Sequence, residues 1–303
     1  MFNKIILFVK QIVYLIRIIL ITEKTMKNIY DNLSFKIAKQ TTNDYSTSFS
    51  LGIRFLGSEI RNSIYGIYGF VRLADEIVDS FHGYEQSEML DSLTVDTYKA
   101  IDQKISTNPI LHAFQQVVNK YAIPRELIEQ FLHSMKMDLE PQSYSQDKYE
   151  EYILGSAEVV GLMCLKVFLN GDENHYLELK PYAMKLGSAF QKINFLRDLK
   201  DDYHSLGRTY FPNIDMDNFS KQTKKEIERD IELDFALGFE GIKKLPYNTR
   251  FGVYIAYVYY FGLLKKIKKL EPQVLLNGRV RIPNAKKYGL FFQGYLRHSF
   301  NFL

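Results

Sequence analysis

Two stretches of this chain set carboxylates at helical spacing with an arginine close by. In YGFVRLADEIVDS, Asp75 and Asp79 stand four residues apart, with Glu76 between them and Arg72 just before. In LGSAFQKINFLRDLKDDYHSLGRTYFP, Asn194, Asp198 and Asp202 follow one another at four-residue steps, with Gln191 and Arg197 alongside. On a helix a step of four returns to the same face about 6 Å further along, a spacing at which side chains can share divalent cations. Oxygen donors of this kind suit Mg2+, and fixed guanidinium forks suit diphosphate oxygens. Two acidic helical faces with arginines between them can hold a metal and a diphosphate together. One DxxxD pair alone is most simply a solvated helix face. Two sets in one helical chain, the first following an aromatic face with Tyr65 and Tyr68, point beyond surface decoration.

Helices must carry these motifs, and the pattern of apolar residues supplies them. Residues 27–42 have helical spacing, and the polar run TTNDYSTSFS then predicts a break or irregular turn. From Glu59 to Ser80, Ile60, Ile64, Ile67, Tyr68 and Val71 fall on adjoining helical positions. The first acidic motif thus lies near a helix C-terminus, where the dipole does not help carboxylates and a bound cation would. Further helices are expected near 109–121, 125–139, 147–169, 174–203 and 222–238, then through GVYIAYVYYFGLLKKIKKL, with a last one after Pro283. No strand series, internal repeat or βαβ punctuation is present, so the expected fold class is all-α, a single helical bundle.

Composition narrows the classes further. The chain has 303 residues, 46% apolar, with 17 glycines and 8 prolines, which excludes collagen-like and low-complexity classes. Its 22 tyrosines and 22 phenylalanines fit ordinary core packing, and equally a chamber for long unsaturated hydrocarbon. A formal charge of +4 from 39 basic and 35 acidic residues is too balanced for a nucleic-acid footprint, and none is expected as partner. The local basic runs LLKKIKKL and NGRVRIPNAKK fit a solvated face, a phosphate-facing surface or a patch against anionic lipid. The single cysteine, Cys164, excludes an internal disulfide and cysteine-cluster metal sites, and most simply packs in a helix core. His133, His175 and His204 are too dispersed for a zinc motif.

Residues 1–25 stand apart from the domain expected over 26–303. MFNKIILFVKQIVYLIRIILIT is apolar but interrupted by Lys4, Lys10, Gln11 and Arg17, which form a narrow polar stripe. Cations inside a spanning segment are costly, so an interfacial helix is the better membrane reading. LITEKT lacks the small residues that usually precede signal cleavage. An extension with no part in the fold, ahead of a compact start at Met26, fits the same sequence.

The chain resembles the squalene and phytoene synthase family over roughly residues 28–298. The matching pieces are Ser46, Ser48 and Phe49 in STSFS, the segment YGFVRLADEIVD, Asp138 in MKMDLE, Gly161 in EVVGLM, and INFLRDLKDDYHSLGRTYFP. The most specific is the second acidic motif, joined to Gly207, Arg208, Tyr210 and Pro212 at family-like spacing. The resemblance implies an isoprenoid-synthase fold around a central cavity, with Asp75, Asp79, Asn194, Asp198 and Asp202 facing Mg2+, or Mn2+ in its place. It implies Arg72, Arg197 and Arg208 on the diphosphates, with Gln191, Ser46 and Ser48 near them and Phe49 toward hydrocarbon. Tyr68 and Tyr259 match tyrosines that look onto the reacting centre.

The activity implied is head-to-head condensation of two prenyl diphosphates through a cyclopropylcarbinyl diphosphate. Phytoene formation from two geranylgeranyl diphosphates, in carotenoid biosynthesis and without NADPH, is the reading favoured by the tail; squalene or dehydrosqualene formation from farnesyl diphosphate is the alternative. The expected setting is cytoplasmic, peripheral at the inner face of the membrane and in contact with its lipid, near a prenyl diphosphate synthase and a phytoene desaturase. There are departures from the family pattern. Glu76 stands where many relatives have a second aspartate, and YILGSAEVVG keeps Tyr152 but has Leu154 for a tyrosine and Glu158 for a glycine. Leu154 would reshape the chamber; Glu158 is either an added water or metal contact or a helix-packing residue.

Overall fold

The computed structural model describes residues 26–140, 144–204, 210–212 and 219–282, with 201–204 as backbone alone. Among the described residues every regular element is helical. Helix α1 is described from residue 26 to 45. It is followed by α2 (Thr47–Arg54), α3 (Ser58–Ser80), α4 (Gln86–Gln103), α5 (Pro109–Tyr121) and α6 (Arg125–Met137). Then come α7 (Gln146–Ile153), α8 (Val159–Leu169), α9 (Glu173–His204), α10 (Lys221–Lys244), α11 (Tyr247–Ile267) and α12 (Pro272–Asn277). The extension 1–25, Arg208, the Asp202 side chain and the helix expected after Pro283 lie outside the described residues.

Local chemistry explains the boundaries. The break expected after residue 42 is a single residue, Ser46, whose extended backbone ends α1 and whose hydroxyl accepts the Phe49 N–H at 3.2 Å to cap α2. Asn108 caps α5 by accepting from Ile110 N at 2.9 Å, and Pro109 fills the first helical position, where no N–H is needed. One short helix, α12, has too few residues for a periodic signal.

Around α3 the bundle closes tightly. Phe70 and Phe114 stack at 4.0 Å between centroids, with Phe131 against Phe70 at 5.4 Å, and all three are fully buried. Gly66 lets the backbone of α5 approach: a Cβ there would lie 3.3 Å from the Ala113 carbonyl oxygen. Helix α9, the longest described, packs on α8, α10, α11 and α12. The two helices that carry the acidic motifs thus hold central places.

Between α7 and α8 the chain makes one π-helical turn, Leu154–Glu158. The expected helix over 147–169 runs without interruption but is wound more widely here, a form of turn found often at functional sites. Gly155 sits beneath it, where a Cβ would meet the Gln130 carbonyl oxygen at 2.3 Å. Gly155→Ala should therefore destabilise the fold by about 2–3 kcal/mol, read as a lowered urea midpoint. Gln146–Leu169 is long and apolar enough to cross a membrane, yet more than half of its most apolar stretch is buried in the bundle, as in the core helix of a globular fold.

Candidate active site

Helices α3 and α9 line one cavity of about 740 Å³ along much of their length. On α3 the lining passes from Ile64 and Ile67 through Tyr68 to Arg72, Asp75 and Asp79. On α9 it passes from Leu179 through Leu186 and Phe190 to Asn194, Arg197 and Asp198. Both helices therefore change from apolar to ionic toward their C-termini. Carboxylates and the negative ends of helix dipoles gather at one end, which favours a cation there.

The acids are held in two different ways. Asp75 lies deep in the protein but its side chain is still 32% open to the cavity. Burial, with Asp79 next, pushes its carboxyl up to about 7; Arg72 opposes the shift, and Asp138 and Glu76 add to it. Asp138 is nearly buried and accepts hydroxyl hydrogens from Tyr152 at 2.6 Å and Tyr210 at 3.0 Å. Asp198 is covered by guanidinium: Arg279 Nε at 2.7 Å and Arg197 Nε at 3.0 Å both reach Oδ1.

Arg72 is anchored by Glu76, stands 3.9 Å from Asp75, and lies over the Tyr45 ring at 4.3 Å from its centroid. Its Nε is buried with no hydrogen-bond partner, as is Oδ1 of Asn194. Such orphaned atoms in a cavity wall call for a ligand or water. Among the described residues no group of three or more acids, histidines or cysteines is drawn together tightly enough for a metal. The donors nevertheless fit Mg2+ in kind: Asp75, Asp79, Asp198 and the unmatched Asn194 oxygen are hard oxygen ligands, and Asp75 holds its charge unwillingly without a cation.

Rings line the cavity beyond the ionic end. Phe49 contacts Tyr68, Phe190 and Tyr260, with Phe190 and Tyr260 stacked at 4.2 Å. Burial pushes the Tyr68 hydroxyl up to about 12, against a hydrogen bond from Ser46. The Cys164 thiol is likewise pushed up to about 12 by burial, which leaves it a packing group rather than a nucleophile.

Of the residues expected from sequence, the lining brings together Ser46, Phe49, Tyr68, Arg72, Asp75, Asp79, Gln191, Asn194, Arg197 and Asp198. Ser48 is half-buried on α2 and outside the lining. Tyr259 is also outside it, edge to face with Tyr260 at 5.5 Å; the next residue on the helix, turned by about 100°, is the one in the wall. Glu158 stands against Lys185, Asp234 and Lys192 rather than in the lining, and burial pushes its carboxyl up to about 7. Arg279, Tyr260 and Tyr45 belong to the site without having been singled out for it, while Asp138, Tyr152 and Tyr210 had entered only as matches to the family pattern, with no role given. The one prior signal for Arg279 was its place in the basic run NGRVR.

Comparison with known proteins agrees with this geometry. The chain belongs to the squalene/phytoene synthase family, whose description matches residues 42–286. It is 27% identical over 203 residues to a 4,4'-diapophytoene synthase of Staphylococcus haemolyticus, covering 65% of this chain and 68% of that one. It is 26% identical over 288 residues to a phytoene synthase of Arthrospira platensis, covering 84% and 90%. Among solved structures, a dehydrosqualene synthase with bound ligand superposes with TM-score 0.74 at 21% identity, covering 88% of this chain and 98% of that one. A squalene synthase from Alicyclobacillus acidocaldarius gives 0.70 at 19% identity, covering 83% and 97%. These two likenesses show the fold.

Proposed function

We propose that this protein joins two farnesyl diphosphates head to head into a thirty-carbon hydrocarbon, the dehydrosqualene-type alternative rather than the forty-carbon reading. The observation that carries the reading is one cavity whose lining passes from an ionic end to an apolar, ring-bearing wall. On α9 the lining runs from Asn194 back to Leu179, roughly 22 Å, long enough for a farnesyl or a geranylgeranyl chain. The relative named for diapophytoene and the dehydrosqualene synthase fold favour the thirty-carbon product. The phytoene synthase relatives favour forty carbons as the second reading.

The residues divide the work. Arg72, Arg197 and Arg279 offer guanidinium forks to the diphosphate oxygens, and Arg208 is proposed to join them. Asp75, Asp79, Asn194, Asp198 and Asp202 would hold Mg2+, with Mn2+ as a substitute; bound there, the ion supplies Lewis-acid neutralisation of the departing diphosphate. Phe49, Tyr68, Phe190 and Tyr260 keep water from an allylic cation and present ring faces to it. Asp138, fixed by two tyrosine hydroxyls, keeps negative charge beside Asp75 and so sharpens the preference for a cation at that end. Contact with lipid, from which greasy substrates come and to which the product returns, is part of the proposal.

The test offers purified protein with Mg2+ farnesyl and geranylgeranyl diphosphates, separately and together, with and without NADPH, and identifies hydrocarbons by mass. A thirty-carbon product formed without NADPH is expected. A forty-carbon product would select the second reading, and no hydrocarbon from either substrate would overturn both.

A further inference from the structure

Helix α9 is enclosed on all sides where it approaches the ionic end. Ala189, Ile193, Phe195, Leu196 and Leu199 are all buried, and at about 100° per residue they spread around the axis rather than along one stripe. Apolar packing of that kind does not choose a rotation for the helix. A polar contact with α10 does. Lys185, Ser188 and Lys192 follow one another on α9 at steps of three and four. The Lys192 ammonium bonds Asp234 Oδ2 at 2.7 Å and also reaches Asp230. Ser188 Oγ donates to the same Asp234 oxygen at 2.7 Å, and the Lys185 ammonium stands 3.2 Å from the other. The Lys192 and Asp234 side chains are 9% and 4% exposed, so this ion pair lies inside the packing of α9 on α10. Burial works against the Lys192 charge, but the two carboxylates outweigh it and raise its pKa. One turn beyond Asp234, Gly238 lets the two helices approach: a Cβ there would lie 3.0 Å from the Leu186 Cβ.

Lys192 and Asn194 are two residues apart and so point about 200° apart around α9. Pinning one therefore aims the other. A turn of the helix by roughly 20° would carry an oxygen roughly 6 Å from the axis through roughly 2 Å, whereas metal ligands tolerate displacements of about 0.2 Å. A buried ion pair is a weak source of net stability but can set register, because a shifted register leaves a charge buried without its partner. We propose that Lys192, through Asp234 and Asp230, is the positioning residue that sets the rotation of α9 and with it the aim of Asn194, Arg197 and Asp198 into the ionic end. This rests on the reading that the ionic end takes Mg2+ and diphosphate. Lys192 is outside the cavity lining and acts through the helix on which it stands.

The full-length protein and the variants Asp230→Asn, Lys192→Met and Lys192→Met/Asp234→Leu are compared for thermal unfolding, for turnover across a range of Mg2+ concentrations, and for binding of inorganic diphosphate with and without Mg2+. Lys192→Met strands the Asp234 charge and should lower both Tm and kcat. The paired change puts apolar groups of similar size in place of both charges and should return Tm to near the wild-type value. Its kcat should nevertheless stay at least about tenfold down, because nothing polar now fixes the rotation of α9. The Mg2+ needed for half-maximal turnover should rise about tenfold in that variant, and the strengthening of diphosphate binding by Mg2+ should shrink by a similar factor. Asp230→Asn keeps the buried pair, and its side chain is 56% exposed, so the fold survives while kcat should fall about threefold. Turnover and Mg2+ response that recover together with Tm in the paired variant show a role in stability alone and overturn the proposal; so does wild-type kcat in Asp230→Asn where the paired variant does not fold. A wild type that makes no hydrocarbon from either prenyl diphosphate overturns the functional reading, and the positioning role then stands or falls on the diphosphate binding, which needs no prenyl chain.

Discussion

Asp198→Asn is expected to lower prenyl diphosphate turnover by at least about a hundredfold while the protein stays folded. Asp198 is the meeting point of the two charge systems of the site, a carboxylate on the acidic face of α9 that carries Arg279 at 2.7 Å and Arg197 at 3.0 Å. An amide keeps the shape and the hydrogen-bond acceptor but removes the charge that a hard cation needs. The same change frees two guanidiniums from their counter-ion. Inorganic diphosphate should therefore bind the variant at least as tightly as the wild type when Mg2+ is absent, whereas Mg2+ should no longer strengthen that binding. Steady-state assays and diphosphate titrations with and without Mg2+ separate the two effects. Turnover that survives in both Asp198→Asn and Asp75→Ala would remove the acidic faces from the mechanism.

The sequence made the helices and the acidic faces legible because both are local patterns. Ile60, Ile64, Ile67 and Val71 recur with helical period, and the steps from Asp75 to Asp79 and from Asn194 to Asp198 lie on one face each. What local pattern cannot give is which distant residue completes a site. Arg279 is far from Asp198 along the chain and reaches it through the extended segment after α12, where Val280 N donates to the Arg197 carbonyl at 3.4 Å. Asp138 is a lone acid whose role comes from Tyr152 and Tyr210, two hydroxyls that the tertiary fold brings to it. Tyr260 was missed by one position in the run YVYY, where every residue is aromatic or branched and periodicity does not choose a face. The π-turn at Leu154–Glu158 is invisible for a related reason: its wider winding leaves the residue types compatible with a helix, and only the Gly155 contact explains its fit.

Asp75→Asn should do two opposite things, abolishing turnover and stabilising the metal-free protein at alkaline pH. The folded protein holds the Asp75 proton up to about pH 7, against 3.8 for an ordinary aspartate, because burial and then Asp79 penalise the charged form. A group with a raised folded pKa makes the folded state bind more protons than the unfolded one between those two values. Stability from this residue is therefore greatest below the unfolded pKa, falls as pH rises toward about 7, and is flat above. Glu158 shifts the same way for the same first cause, burial, and deepens the fall over the same window. In EDTA the wild type should accordingly melt lower at about pH 8 than at about pH 5.5. Mg2+ should raise its Tm more at the higher pH, where the cation no longer competes with a proton for Asp75. The asparagine carries no charge to desolvate, so the variant should melt above the wild type in EDTA at about pH 8 and respond less to Mg2+, with the remaining slope assigned to Glu158. Thermal unfolding at two pH values, with and without Mg2+, measures all of this. A variant that melts below the wild type in EDTA at the higher pH would mean that Asp75 is a stabilising carboxylate paired within the fold, and not one that the fold holds in readiness for a cation.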